Sequence, residues 1–335
     1  MLRHPFAHTS SRQMPGWLVI ALLVLPWVHP WAPGPQSNTV PLLIGWGSLA
    51  TLLAVKRLPS GLELAQAWTI AALIGSAMGL LQYFGEAAHL GGWVHVPAYL
   101  GDAVGNLRQR NQLATLTSLG TVAVLWWQRQ GLRSGQAAWM LALLAAGNAA
   151  TGSRTGLLEL VVITLLCAGW ALRKGHAQPV LSWRWSLATL AICLLASVLL
   201  PKALSMLTAQ DIASAVSRLG HDEGCGSRRV LWGNVLHLIG LQPWTGWGWG
   251  ELKYAHYITP YPGERFCDIL GNAHNLPLHL AVELGVPAAV AIVGALLAGV
   301  WRLRPWRSHV RTGRRCGTNM LSLDSSFSPF SHTLQ

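Results

Sequence analysis

The stretch WSLATLAICLLASVLLP, residues 185–201, contains no charged side chain, while Arg184 stands at one end and Lys202 at the other. A helix crossing a bilayer needs roughly 20 apolar residues, because only a helix of that reach pairs its own backbone amides throughout the hydrocarbon. Comparable apolar runs lie at about 154–172, 136–151, 107–127, 61–84, 39–55 and 16–30 on the N-terminal side, and at 276–301 beyond a long gap. The expectation is an all-α polytopic membrane protein with about eight transmembrane helices. One long loop, 202–275, is too long for a mere connector and is expected to fold against the membrane.

Composition agrees with lipid as solvent. Of the 335 residues 52% are hydrophobic and only 11% charged, with a mean hydropathy of +0.37, whereas soluble domains carry about 25% charged residues. A net charge of +12 and a pI near 10.3 taken alone would suit nucleic acid. Here the basic residues stand in short clusters between apolar runs, a signature of membrane topology, and nucleic acid is not an expected partner. Trp126, Trp127, Trp170, Trp183, Trp185, Trp301 and Trp306 lie where apolar runs meet basic ones, as interfacial anchors do. The run after Arg3 and Arg12 reads as a first helix ending at the Pro30–Pro33 turn rather than as a secretory signal.

Basic residues in short loops mark the cytoplasmic side. With the N-terminus inside, that side receives Arg3, Arg12, Lys56, Arg57, Arg129, Arg133, Arg173, Lys174, Arg184 and the cluster from Arg302 to Arg315. Arg108, Arg110, Arg154, Lys202, Arg218, Arg228, Arg229, Lys253 and Arg265 fall on the opposite face. The outer face is then built from a Gly-rich loop over 85–106, the turn Thr151-Gly152-Ser153-Arg154, and the 202–275 loop. The resulting domain plan is transmembrane helices over 1–201, the outer loop with the chemistry over 202–275, a last span over 276–301, and a basic cytoplasmic tail over 302–335.

Three outer features carry chemical potential. Arg154 opens the sixth helix, and Arg108 and Arg110 open the fourth, where the helix dipole disfavours a cation. Each therefore calls for a partner, either a carboxylate such as Glu159 or Asp102 or a bound anion such as phosphate, which the planar guanidinium grips with two bonds. In Asn272-Ala273-His274-Asn275-Leu276-Pro277, Asn275 is placed to cap the last helix and Pro277 fits its first turn. The positive helix end is expected to keep His274 neutral and able to accept a proton, although a histidine there is more often structural. Arg228 starts an amphipathic stretch with Leu231, Trp232, Val235, Leu236 and Ile239 at helical spacing, closed by the glycines of Trp247-Gly248-Trp249-Gly250.

In order, Arg110-Asn111-Gln112, Ser153-Arg154, Arg228 before Leu231-Trp232, Pro243 before Gly246-Trp247-Gly248, His274-Asn275 and Glu283-Leu284-Gly285 resemble the O-antigen ligase and O-antigen polymerase superfamily. Within it, the chain looks most like the PglL-type protein O-oligosaccharyltransferases of Gram-negative bacteria, over most of residues 100–300. The resemblance implies transfer of a glycan from undecaprenyl pyrophosphate, on the periplasmic face of the inner membrane, to a Ser or Thr of a protein. In O-antigen ligases the acceptor is lipid A–core. It also implies catalytic roles for His274, Arg228 and Arg154, substrate contacts by Arg110, Asn111, Gln112 and Asn275, and no metal or cofactor. Family members are usually longer, so the Ser-rich end of this chain is read as an atypical or truncated tail.

Cys225 and Cys267 share the outer loop and, in an oxidising compartment, are expected to form a disulfide worth roughly 3–4 kcal/mol in the chain-entropy model. A zinc site from these cysteines with His221 and His256 is the rival. From another class, a transporter or flippase is the main alternative to the enzyme, with a structural scaffold third; a transporter calls for mid-membrane ionisable residues and repeat symmetry. The topology is directly testable. A tag inserted in 202–275 is expected to react with membrane-impermeant reagent from outside the inner membrane, and reactivity only from the cell interior would sink the assignment.

Overall fold

The helices form largely where the apolar runs predict them, and side chains of Ser60, Ser227 and Asn275 cap three of them. The computed structural model describes residues 14–29, 39–172, 181–208 and 224–303. Arg3, Arg12, the Pro30–Pro33 turn, Arg173, Lys174, Arg218, His221, and the basic tail from Arg304 with Trp306 and Cys316 lie outside the described residues. The described residues form helices and loops without a strand. They belong to two compact units, 1–221 and 222–335.

The first unit contains α1 (Gly16–Val28), α2 (Thr39–Ala54), α3 (Gly61–Tyr83), α4 (Arg110–Arg129), α5 (Ser134–Ala150), α6 (Arg154–Leu172) and α7 (Trp183–Thr208). At the start of α3, Ser60 and Glu63 form a reciprocal capping box, and Arg57 donates to Glu63 at 2.6 Å. Helix α3 packs against α1, α4 and α5, while α6 and α7 lie together and α2 touches α1. The innermost contacts use small residues. A Cβ on Gly79 would stand 2.9 Å from Leu113, and one on Gly147 would stand 2.9 Å from the Ser76 Cα. Close backbone approach of this kind replaces the hydrophobic drive that lipid does not supply.

Of the eight expected spans, α3, α6 and α7 are long and apolar enough to cross a membrane, and α1, α2 and α11 are shorter apolar helices. Helices α4 and α5 meet neither description because their sequences are more polar. Their buried faces hold Thr117, Ser118, Thr121 and Asn148. Asn148 donates to the Ala114 carbonyl at 3.2 Å and to Thr117 at 2.8 Å, and Thr117 and Thr121 donate to carbonyls of their own helix, so the polarity of these three is satisfied inside the bundle. In contrast, α2, α6 and α7 expose Leu43, Trp46, Leu165, Leu195 and Leu199. Such contiguous exposed apolar surface marks contact with lipid, and the chain is a membrane protein.

The loop between α3 and α4 is clamped by two amides. Gln82 donates to the carbonyls of His95 and Gly105 and accepts from the amides of Val104 and Gly105. Asn106 donates to His29 and Trp93 carbonyls and accepts from the His95 amide. Arg108 does not open α4, as its spacing had suggested. It stands before the helix in the left-handed region (φ 56°), and Arg110 is the first helical residue.

The second unit contains α8 (Arg228–Leu241), α9 (Leu252–Ile258), α10 (Leu276–Leu284) and α11 (Val286–Leu303). Its core joins Leu231, Val235 and Leu238 of α8 to Leu252, Ala255, Phe266, Leu270, Ala273 and Val282. The apolar face of α8 therefore runs through Leu238, and Leu236, expected on that face, is 56% exposed. The expected span 276–301 is two helices. Gly285 breaks it at φ 85°, and the Val286 amide, which a continuous helix would use internally, donates to the Pro243 carbonyl at 2.8 Å.

Gly147→Leu is expected to overpack the α3–α5 contact by about 1–3 kcal/mol. The detergent-solubilised protein should then unfold at a lower temperature, while Gly135→Leu, where a Cβ meets nothing within 4 Å, leaves the midpoint in place. Equal midpoints for both variants would contradict the packing described.

Candidate active site

Three motifs of the second unit are assembled on α8. Ser227 caps this helix by accepting from the Val230 amide at 3.3 Å. Just before the cap, Cys225 is joined to Cys267 in a disulfide, so the zinc reading of these two cysteines does not hold. Arg228, at the first helical position, is exposed. One turn on, the Trp232 indole donates to the Ala273 carbonyl at 2.9 Å, tying α8 to the residue that precedes His274.

His274 is held in an unusual backbone conformation. Its φ is 50°, and its amide donates to the Asn272 side chain at 2.8 Å. A left-handed non-glycine residue costs of order 1–3 kcal/mol and persists only where surrounding bonds enforce it. Asn275 then caps α10, accepting from the Leu278 amide at 3.3 Å, with Pro277 in the first turn. His274 is exposed over much of its surface. Desolvation of the covered part of the ring, then the positive charge of Arg228, and last His279, hold its pKa below the ordinary histidine value. The neutrality expected from the helix end is thus supplied mainly by burial and by a nearby guanidinium, and at pH 7 the imidazole is free to accept a proton.

His279 was not singled out by sequence reasoning. Its Nε2 lies 3.7 Å from Glu283, one turn further along α10, and Glu283 is 3% exposed. The signal was available, since a histidine four residues before a carboxylate inside an apolar helix is a pairing pattern.

The Pro243–Gly248 and Glu283–Gly285 motifs form one element. The amides of Trp247 and Gly248 donate to the carbonyls of Val282 and Glu283, both at 2.9 Å, and the Trp247 indole donates to the Leu238 carbonyl. Gly246 (φ 65°) is required there, because a Cβ would run into the Glu283 carbonyl. The last turn of α10 thereby passes its free carbonyls to a loop rather than to a continuing helix.

In the first unit, Arg110 pairs with Asp102 at 2.8 Å, so that carboxylate is taken. Asn111 accepts from the Ser153 hydroxyl at 2.7 Å, and Ser153 in turn accepts from the Gly156 amide at 3.1 Å, capping α6. Asn111 of α4 and the Ser153-Arg154 start of α6 are thus neighbours, with Arg154 exposed at the first helical position. Glu159 accepts from Thr115 at 2.8 Å. Gln112 is exposed.

Residues 139–293 match a family model described as O-Antigen ligase, and residues 103–127 match one described as Protein glycosylation ligase. Both matches support the resemblance to the O-antigen ligase and PglL-type superfamily. The first match contains Arg154, Arg228, His274 and the Gly246 and Gly285 turns, and the second contains Arg110, Asn111 and Gln112. No curated protein and no solved structure matches the chain. The matched families are ligases or transferases of glycans onto acceptors, which is consistent with an enzyme.

The electrostatics of this O-antigen ligase relative can be read by histidine-selective NMR. His274 is expected to titrate below the ordinary value of 6.5, and Arg228→Gln to move the midpoint upward, because removing a nearby positive charge favours the imidazolium. A midpoint that Arg228→Gln leaves in place would show that the two groups are not coupled.

Proposed function

We propose that this protein is a membrane-bound oligosaccharyltransferase that moves a glycan from undecaprenyl pyrophosphate to a Ser or Thr hydroxyl of a protein, on the periplasmic face of the inner membrane. The observation that carries the reading is His274, neutral and conformationally pinned beside the charge of Arg228, within the stretch that matches O-Antigen ligase. The acceptor assignment is supported by the Protein glycosylation ligase match over 103–127.

In this reading the acceptor oxygen attacks the anomeric carbon of the donor. The bond from that carbon to the diphosphate oxygen breaks, and its electron pair stays with the diphosphate. His274 takes the hydroxyl proton as general base, and the Asn275 cap and the Trp232–Ala273 bond hold the backbone on either side of it. Arg228 and Arg154 neutralise the charge that develops on the leaving diphosphate, where fixed donors in a partly dehydrated site act most strongly. Arg110, Asn111 and Gln112 are assigned to the same headgroup. The Arg110–Asp102 pair leaves Arg110 further donors for this, since a guanidinium carries five.

A second reading rests on the longer match, to O-Antigen ligase. It keeps the same residues and donor chemistry, with lipid A–core or a growing glycan as acceptor.

Transfer in cells separates these readings. His274→Ala is expected to lower product at least about 100-fold, and Arg228→Ala to a similar degree. A mass shift on secreted proteins identifies the protein acceptor, whereas altered lipopolysaccharide banding identifies the ligase. Full transfer by both variants would remove the mechanism.

A further inference from the structure

A second concave surface lies on another side of α8. Arg229, Gly233 and His237 recur at four-residue intervals, so they share a face about 100° or more around the helix from Arg228. Together with Tyr261, Gly263 and Glu264 of the following loop they line an open cleft of about 520 Å³, within the range of about 300–1,000 Å³ typical of small-molecule sites. The reaction assigned above uses none of these residues.

The wall opposite α8 is rigidly held. Asn234 donates to the Glu264 carbonyl at 2.9 Å and accepts from the Phe266 amide at 2.8 Å. The Tyr261 hydroxyl bonds His256 at 2.7 Å, and Arg265 donates to the carbonyls of His256 and Thr259. The side chains of Arg229 and Glu264, by contrast, make no hydrogen bond or ion pair among the described residues. The cleft thus offers one cationic donor, one anionic acceptor, and the tilted rings of His237 and Tyr261, whose centroids are 5.5 Å apart.

This set discriminates between ligands. A phosphate would gain from Arg229 but be repelled by Glu264. A neutral polyol gains from both, because each hydroxyl donates as well as accepts, and its C–H faces pack on the rings. We propose that this cleft is a saccharide subsite that receives sugar units of the donor glycan beyond the one that reacts. The proposal rests on the oligosaccharyltransferase reading, and it adds where the enzyme measures glycan length.

Gly233→Phe tests it, since a Cβ at Gly233 meets nothing within 4 Å and the ring would fill the cleft from a helical position. The probe is free oligosaccharide released by mild acid from the lipid-linked pool of the expressing cells. Its binding to the full-length protein in detergent is read by saturation-transfer NMR. Wild type and His274→Ala are expected to bind, and Gly233→Phe to bind about tenfold more weakly or worse. Glu264→Gln, on the exposed loop, provides a second variant, with binding weakened about threefold. In cells, Gly233→Phe should lower the ratio of transfer from oligosaccharide donor to transfer from monosaccharide donor about tenfold. Binding that survives both substitutions, equal loss on both donors, or a change only in the dependence on acceptor protein would overturn the subsite. Absence of transfer in wild type with oligosaccharide binding intact would instead sink the transferase reading and leave the subsite standing.

Discussion

The bond from the Trp232 indole to the Ala273 carbonyl is the constraint on which the candidate site depends. It is a side-chain-to-backbone bond across more than 40 residues of chain, and its two ends bracket the charged start of α8 and the imidazole before α10. Loops do not by themselves hold a histidine in the left-handed region. Trp232, the Asn272 side chain and the Asn275 cap act together to do so, and the Cys225–Cys267 disulfide fixes the chain on the N-terminal side of α8. The chemistry assigned to His274 is therefore a property of a small folded unit rather than of one reactive residue.

Polarity inside the first unit serves a related purpose. Asn148, Thr117, Gln82 and Asn106 are buried, and each has hydrogen-bond partners drawn from more than one segment. In a lipid-exposed chain an unpaired amide is expensive, so such groups specify a unique arrangement of helices whose apolar faces would otherwise slide. The small residues Gly120, Gly147 and Gly156 make the same arrangement close enough for these short side chains to reach one another.

Helix positions were legible because apolar runs and their flanking charges are local signals. The motif residues were legible because their order carries a family resemblance. The break at Gly285 was not, because Leu284 and Val286 on either side are as apolar as a continuous span requires and the bond that replaces the helix comes from Pro243, far away in sequence. Leu236 was misread for a different reason: two leucines one turn-half apart satisfy a helical pattern equally, and only the partners of Leu238 decide between them. Arg108 stood outside its expected helix because Gln82 bonds the backbone of Val104 and Gly105, an interaction that periodicity cannot carry. The shift of the His274 pKa was legible in direction, but its leading cause is loss of hydration, which depends on tertiary packing.

The interrupted segment after Asn275 has one more implication. Pro243, Trp247 and Gly248 hold both sides of the Gly285 bend through main-chain atoms alone, so the axis of α11 is steered by this turn as a rudder is by its tiller. Side-chain replacements in that turn can alter its surface while the linkage persists, and evolution is thereby free to vary what the turn touches without retuning how the final helix meets the lipid.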